Sequence, residues 1–221
     1  MDQRGGGAIR NASVTLLYNT TVYSNISSSG AGIFNAEGDT IINNCTISGN
    51  SARGHGGGIN NLYGDVRIYS STITKNSDSS GAGGIHNEAP SYSWAVEMKN
   101  SILAGNNSSE HAQDCNGTIK SLGYNLLGNS ENCSFTPSIG DRIDTPAGLG
   151  ALQDNGGLSP THALLISSRA INAADPEGCK DYMNTELLTD QRGLPRFERC
   201  DIGSFEYQTD VHYLFLPSIQ H

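Results

Sequence analysis

The chain has 221 residues and is acidic, with 22 Asp and Glu against 13 Lys and Arg and a formal net charge of −9. That balance, with so few lysines, excludes a surface built to hold nucleic-acid phosphates. No run approaches the ~18 apolar residues that a membrane-spanning helix needs.

From the N-terminus a phrase recurs four times: a glycine cluster, Ile, any residue, Asn. It reads Gly5-Gly6-Gly7-Ala8-Ile9-Arg10-Asn11, Gly30-Ala31-Gly32-Ile33-Phe34-Asn35, Gly56-Gly57-Gly58-Ile59-Asn60-Asn61 and Gly81-Ala82-Gly83-Gly84-Ile85-His86-Asn87. A fixed period of about 26 residues marks one unit stacked on copies of itself. Each phrase is followed by a short alternating run: Val14-Thr15-Leu16, Thr40-Ile41-Ile42, Val66-Arg67-Ile68 and Val96-Glu97-Met98. Leu16, Ile42, Ile68 and Met98 are read as its core position. A third run follows, Thr21-Val22-Tyr23-Ser24-Asn25, with counterparts from Thr46, Thr72 and Ser101. Alternating β-branched residues between Gly, Asn and Ser predict strands joined by turns, and no helical spacing is present.

Three short strands per unit, with no crossover helix, predict an all-β coil that lays one strand on each of three parallel sheets. Neighbouring coils then lie about 4.8 Å apart. The repeated Gly and Asn suit tight or left-handed corners, and stacked Asn side chains can form amide ladders. Residues 5 to about 107 read as four regular coils. Residues 108–208 read as longer irregular coils with a C-terminal cap, for which 175–205 is the candidate. The whole of 1–208 is one domain, and 209–221 is a short tail. Met1-Asp2-Gln3-Arg4 is no signal peptide and the phrase begins almost at once, so the sequence is expected to be part of a longer chain.

The phrase Gly-Gly-Gly-Ile-x-Asn with Thr-Ile-x-x-Asn resembles the right-handed single-stranded parallel β-helix repeats of the pectate-lyase-like superfamily. The second half carries, in order, Asp114-Cys115-Asn116-Gly117, Ser121 to Gly128, Asp154-Asn155-Gly156-Gly157, Thr161-His162-Ala163-Leu164, Arg169 to Ala173, Asp190-Gln191-Arg192-Gly193 and Cys200 to Glu206. That order is similar to the C-terminal part of bacterial secreted proteins of the "choice-of-anchor Q" kind. The resemblance implies export or surface exposure, extracellular or on the cell surface, and no defined reaction.

Five cysteines stand at 45, 115, 133, 179 and 200, without zinc-finger spacing. Cys115 with Cys133 and Cys179 with Cys200 each bracket about 20 residues and are expected to be disulfides outside the regular coils. Such bridges stabilise by about 2–4 kcal/mol each and belong to an oxidising compartment. Cys45 reads as a small core residue.

Candidate chemistry sits where the repeat varies. Arg10, Phe34, Asn60 and His86 occupy the variable place of the phrase and are expected to stack outward. They form either a solvated ladder or a grip on sugar hydroxyls and ring faces. An insertion in the fourth unit brings Tyr92 and Trp94, either carbohydrate-stacking aromatics on a loop or packing over the coil. Asp39 and Asp65 follow glycines at one repeat offset, so they are plain turn residues or stacked ligands for Ca²⁺. Arg192 or Arg196 is expected to pair with Asp201 or Glu206 and hold the cap. No catalytic trio, phosphate loop or dinucleotide fingerprint emerges. The reading is a secreted or surface β-helix, a non-catalytic adhesion or carbohydrate-contacting segment. The alternative is a lyase or hydrolase acting on an acidic polysaccharide.

Overall fold

The computed structural model describes residues 6–88, 96–109, 113–197 and 199–208, and within them the chain is all-β, without a helix. The first coil comprises β1 (Ile9–Asn11), β2 (Val14–Tyr18), β3 (Thr21–Tyr23) and β4 (Ile26–Ser27). The second holds β5 (Ile33–Asn35), β6 (Asp39–Asn43), β7 (Thr46–Ser48) and β8 (Ser51–Ala52). The third holds β9 (Ile59–Asn61), β10 (Val66–Tyr69), β11 (Thr72–Thr74) and β12 (Ser77–Asp78). The fourth holds β13 (Ile85–Asn87), β14 (Val96–Lys99), β15 (Ile102–Leu103) and β16 (Asn107–Ser108). Each strand pairs in parallel with its counterpart one coil away, which makes a parallel β-helix. Pairing continues through β17 (Cys115–Ser121), which joins the first and second sheets, then β18 (Leu126–Leu127) and β19 (Cys133–Thr136). A separate antiparallel pair, β20 (Leu149–Gln153) and β21 (Thr161–Leu164), follows.

The phrase's isoleucines stack in register as Ile9, Ile33, Ile59 and Ile85, and the column ends on Cys115. Two more columns face them: Leu17, Ile42, Ile68 and Met98 from the second sheet, and Val22, Ile47, Ile73, Leu103 and Leu127 from the third. Most of these side chains are fully buried. Alternation of side chains along a strand puts every second residue into this core. In the first coil the core residue is Leu17, where the sequence pointed to Leu16; Leu16 faces out because the chain from this column position to the next, Ile42, is one residue shorter than from Ile42 to Ile68. A fourth, two-residue strand of mostly small residues (β4, β8, β12, β16) is added to the expected three in each coil.

The left-handed corner before the first strand falls on glycine as expected, at Gly30 and Gly56 (φ 54° and 66°), but the asparagine corner is placed differently. Between second and third sheets it falls on Asn19, Asn44, Ser70, Asn100 and Tyr124, with φ between 45° and 58°. The asparagines of the two repeated phrases instead build buried ladders. Asn11 Nδ2 donates to Asn35 Oδ1 (2.9 Å), Asn35 to Asn61 (2.8 Å) and Asn61 to Asn87 (2.9 Å). The second ladder runs Asn25, Asn50, Asn76, Asn106, each Nδ2 donating at 2.9 Å to the next Oδ1, and it ends on Asp114 Oδ1. A carboxylate is a suitable end because it accepts and asks for no further acceptor. A third file of backbone N–H groups, from Cys45 through Ser71, Ser101 and Asn125, likewise ends on a carboxylate, Asp141.

Both expected disulfides are present, Cys115–Cys133 and Cys179–Cys200. The first lies within the coil core rather than outside it, because Cys115 occupies the isoleucine column and Cys133 packs against the same cluster. Cys45 is free and buried, and burial pushes its thiol up to about 12.

The irregular C-terminal part lies along the flank of the third sheet, reaching back to the first coil, rather than only over the end of the stack. Thr21 Oγ1 donates to Pro160 O (2.6 Å), and Thr46 Oγ1 to Gln191 Oε1 (2.6 Å). Ser48 Oγ lies 2.8 Å from His162 Nε2, and Ser204 N donates to Thr72 Oγ1 (3.1 Å). Outward-facing Ile102 and Leu126 join Leu164, Ala170, Ala173, Cys179, Cys200, Ile202 and Phe205 in a second core. The segment is held by buried charge. Arg196 Nη1 meets Glu206 Oε2 at 3.1 Å, with both side chains almost fully buried. Arg196 also donates to Gly203 O and Asn44 Oδ1. Arg192 pairs with Asp190 at 2.6 Å and lies over the Phe205 ring. The expectation of Arg–carboxylate pairs is met by Arg196 with Glu206; the partner of Arg192 is Asp190.

Candidate functional site

On β1, β5, β9 and β13 the core isoleucines alternate with Arg10, Phe34, Asn60 and His86, which therefore stand on the outer face in one register column. The stack forms as the sequence suggests, but it is not an open face. Phe34 is 7% and Asn60 2% exposed. The glycine-cluster segments fold over them: Asn60 Nδ2 donates to Ser29 Oγ (2.6 Å), and a Cβ at Gly30 would lie 2.8 Å from Phe34 Cβ. Glycine at 30 is what allows that approach. The Arg10 guanidinium sits 5.7 Å from the Phe34 ring centroid and remains exposed.

At the other end of this column His86 meets His55, which precedes the glycine cluster of the third coil. The two rings stack with centroids 4.5 Å apart and planes 14° from parallel. Glu88 Oε1 lies 3.4 Å from His86 Nε2, and one donor atom from each of His55, His86 and Glu88 lies within 4.8 Å of the others. The hydrogen bond with His86 holds the Glu88 carboxyl below the usual range. On the opposite edge, His86 Nδ1, His55 Nδ1 and Asp78 Oδ2 all lie within 2.9 Å of the position a Cβ on Gly81 would take. Asp78 Oδ2 accepts from Gly56 N (3.2 Å) and Gly81 N (2.8 Å). Both Nδ1 atoms and Asp78 Oδ1 are buried without a hydrogen-bond partner. Each such group ordinarily costs about 1–3 kcal/mol.

Asp39 and Asp65, in successive coils, share a guanidinium rather than facing each other freely. Arg67 Nη2 reaches Asp65 Oδ2 at 2.6 Å and Nη1 reaches Asp39 Oδ2 at 3.4 Å. Tyr92 and Trp94 lie outside the described residues.

Two clefts form where the C-terminal part meets the coils. One, of about 360 Å³, is lined by Lys75, Asn106, Gln113, Asp114, Asn129 and Leu149 among others. Burial pushes Asp114 up to about 6, although Asn106 N and Nδ2 and Asn129 N all donate to it. The second, of about 240 Å³, lies at the corner of the second and third sheets between Tyr69, Lys99 and Leu122 on the coils and Lys180, Asp181, Tyr182 and Asn184 opposite. Tyr69 and Lys99 are register partners at the ends of β10 and β14. Lys99 pairs with Asp175 at 2.8 Å, while Lys180 is only 3.9 Å from the highly exposed Glu177. Tyr18 adjoins this wall, its phenol raised to about 12 by burial and by the charge of Asp181.

Sequence reasoning missed this second cleft because Tyr69 and Tyr182 meet only once the C-terminal part folds back. It also missed His55, whose place in the repeat, directly before the glycine cluster, could have flagged it beside His86. No family model matches the chain, and no curated protein or solved structure matches it.

Proposed function

We propose that this protein is a secreted or cell-surface β-helix that contacts carbohydrate and does not catalyse a reaction on it. The observation that carries the reading is the cleft between Tyr69 and Tyr182, which sets two aromatic rings beside Lys99, Lys180, Asp181 and Asn184. Tyrosine rings stack on the apolar faces of sugars, and amide, ammonium and carboxylate groups satisfy hydroxyls. The weakly held Lys180 adds a cation for an acidic sugar. Two disulfides suit an oxidising compartment, and no helix among the described residues is long and apolar enough to cross a membrane. The resemblance to choice-of-anchor Q proteins supports the same location. A glycosidase of the usual kind needs two carboxyl groups across the scissile bond; among the described residues a single acid lines each cleft, Asp181 in one and Asp114 in the other.

Affinity electrophoresis of the full chain in gels containing polygalacturonate, alginate or a neutral glucan tests this. Retardation by at least one polymer is expected, reduced at least tenfold in apparent affinity by Tyr182→Ala and, for the acidic polymers, by Lys180→Ala. Unretarded migration in all three gels would remove the reading. A second reading, a lyase acting on acidic polysaccharide, is favoured by the Asp39–Arg67–Asp65 cluster alone. Release of unsaturated uronate from polygalacturonate or alginate, with and without Ca²⁺, would establish it over the first.

A further inference from the structure

We propose that His55, His86 and Glu88 bind a divalent transition metal of the Zn²⁺ type, with Asp78 as the carboxylate that orients the two imidazoles. The donor set is what such ions take: two imidazole nitrogens and one carboxylate oxygen, with a coordination position left over. Their donor atoms already lie within 4.8 Å of one another. Tetrahedral coordination at Zn–N and Zn–O lengths of about 2.0–2.2 Å places ligand atoms about 3.3 Å apart. The required contraction of up to about 1.5 Å is within reach of ring rotation out of the present stack and of the Glu88 side chain, which is about a third exposed.

The surroundings distinguish this cluster from a chance meeting of polar groups. His86 turns its Nε2 edge to Glu88 and its Nδ1 edge to the buried Asp78 and Gly81. A metal-bound imidazole must give its other N–H to an acceptor, commonly a carboxylate, which fixes the tautomer and the ring orientation. Asp78 offers that acceptor. Its Oδ2 is anchored by Gly56 N and Gly81 N, and its Oδ1 is buried with no partner, as are both Nδ1 atoms. Metal on the Nε2 edges would make both Nδ1 groups donors, and Asp78 Oδ1 is a buried acceptor with no other partner. Charge agrees as well: Glu88 and Asp78 supply two carboxylates to balance a divalent cation. Gly81 is part of the design, because a side chain there would displace both Nδ1 edges.

The test is calorimetric titration of the EDTA-treated 221-residue chain with Zn²⁺ alone, with Co²⁺ absorption as a readout of ligand geometry. One equivalent is expected to bind, to raise the melting temperature and to release protons. His55→Ala, on a loop, should lose binding at least 100-fold, and Glu88→Gln at least tenfold. Asp78→Asn should weaken it about 10–100-fold while leaving one equivalent bound. Each variant is checked by its metal-free melting curve. If His86→Ala, in the middle of a strand, fails to fold, His55→Ala and Glu88→Gln still decide. No binding by the wild type, or binding that His55→Ala and Glu88→Gln leave unchanged, would overturn the site.

Discussion

In residues 6–109 the ladder asparagines find their partners one coil away at the same place in the repeat, as in the relay from Asn25 to Asp114. In residues 149–208 the partners come from scattered positions: Arg196 reaches Glu206, Gly203 and Asn44, and Gln191 reaches Thr21 and Ser159. The coils spread stability over many near-identical contacts, so no single one dominates. The C-terminal part concentrates it in a few charged groups and one disulfide. Both clefts form along the seam between these regions, where a regular wall meets an irregular one.

The largest effect is expected from Arg196→Met. It removes the charged partner of Glu206 and the donor to Gly203 O and Asn44 Oδ1 in a dry interior, and should cost about 3–5 kcal/mol in urea unfolding. Replacing both Cys179 and Cys200 by Ser should cost about 2–4 kcal/mol, again within the irregular region.

A pH comparison sharpens the boundary. Burial raises Asp114 to about 6, while the unfolded chain releases that proton near 4. The native state therefore binds more protons between those values, and stability falls as pH rises from about 4 to about 6. Relative to Asp114→Asn, the wild type should gain about 2–3 kcal/mol on going from pH 7 to pH 4. His162, kept neutral by burial, works the other way below its ordinary range, but it is common to both proteins and cancels in the difference. A flat difference would mean that the ladder's terminal carboxylate is not desolvated.

Within the coils, Asn76→Ala should cost about 1–3 kcal/mol, since the backbone and side-chain donors of Asn50 lose their acceptor. Arg67→Ala should change stability by about 0–1 kcal/mol, because the Arg67, Asp39 and Asp65 side chains are all partly exposed.

The coil was legible in the sequence because a 26-residue period repeats the same apolar columns, and a single register then places Ile33, Ile59 and Ile85 one above another. Reading was harder where the period slips. Leu16 and Leu17 are both apolar, and only the pairing with Ile42 decides between them. The phrase asparagines were read as both corner and ladder residues; the ladder prevailed because an interior amide needs partners, while corners fell to Asn19, Asn44 and Ser70. The two disulfides followed from spacing. The folding-back of 149–208 did not, because it depends on single hydrogen bonds such as Thr46 to Gln191, which carry no periodic signal. For the same reason the sequence points to neither Tyr69 nor Tyr182 as partners across a cleft.

The account's central claim is that the coils are self-sufficient and the C-terminal part depends on its own few locks. Hydrogen exchange on the Cys179→Ser/Cys200→Ser protein tests it most directly. The amides of Leu187, Gln191 and Ile202, bonded to Cys179 O, Ser204 O and Ala170 O, should lose protection. Those of Ile33, Ile59 and Ile85, bonded from coil to coil, should keep theirs. Equal loss in both sets would contradict the account and make the molecule a single cooperative unit.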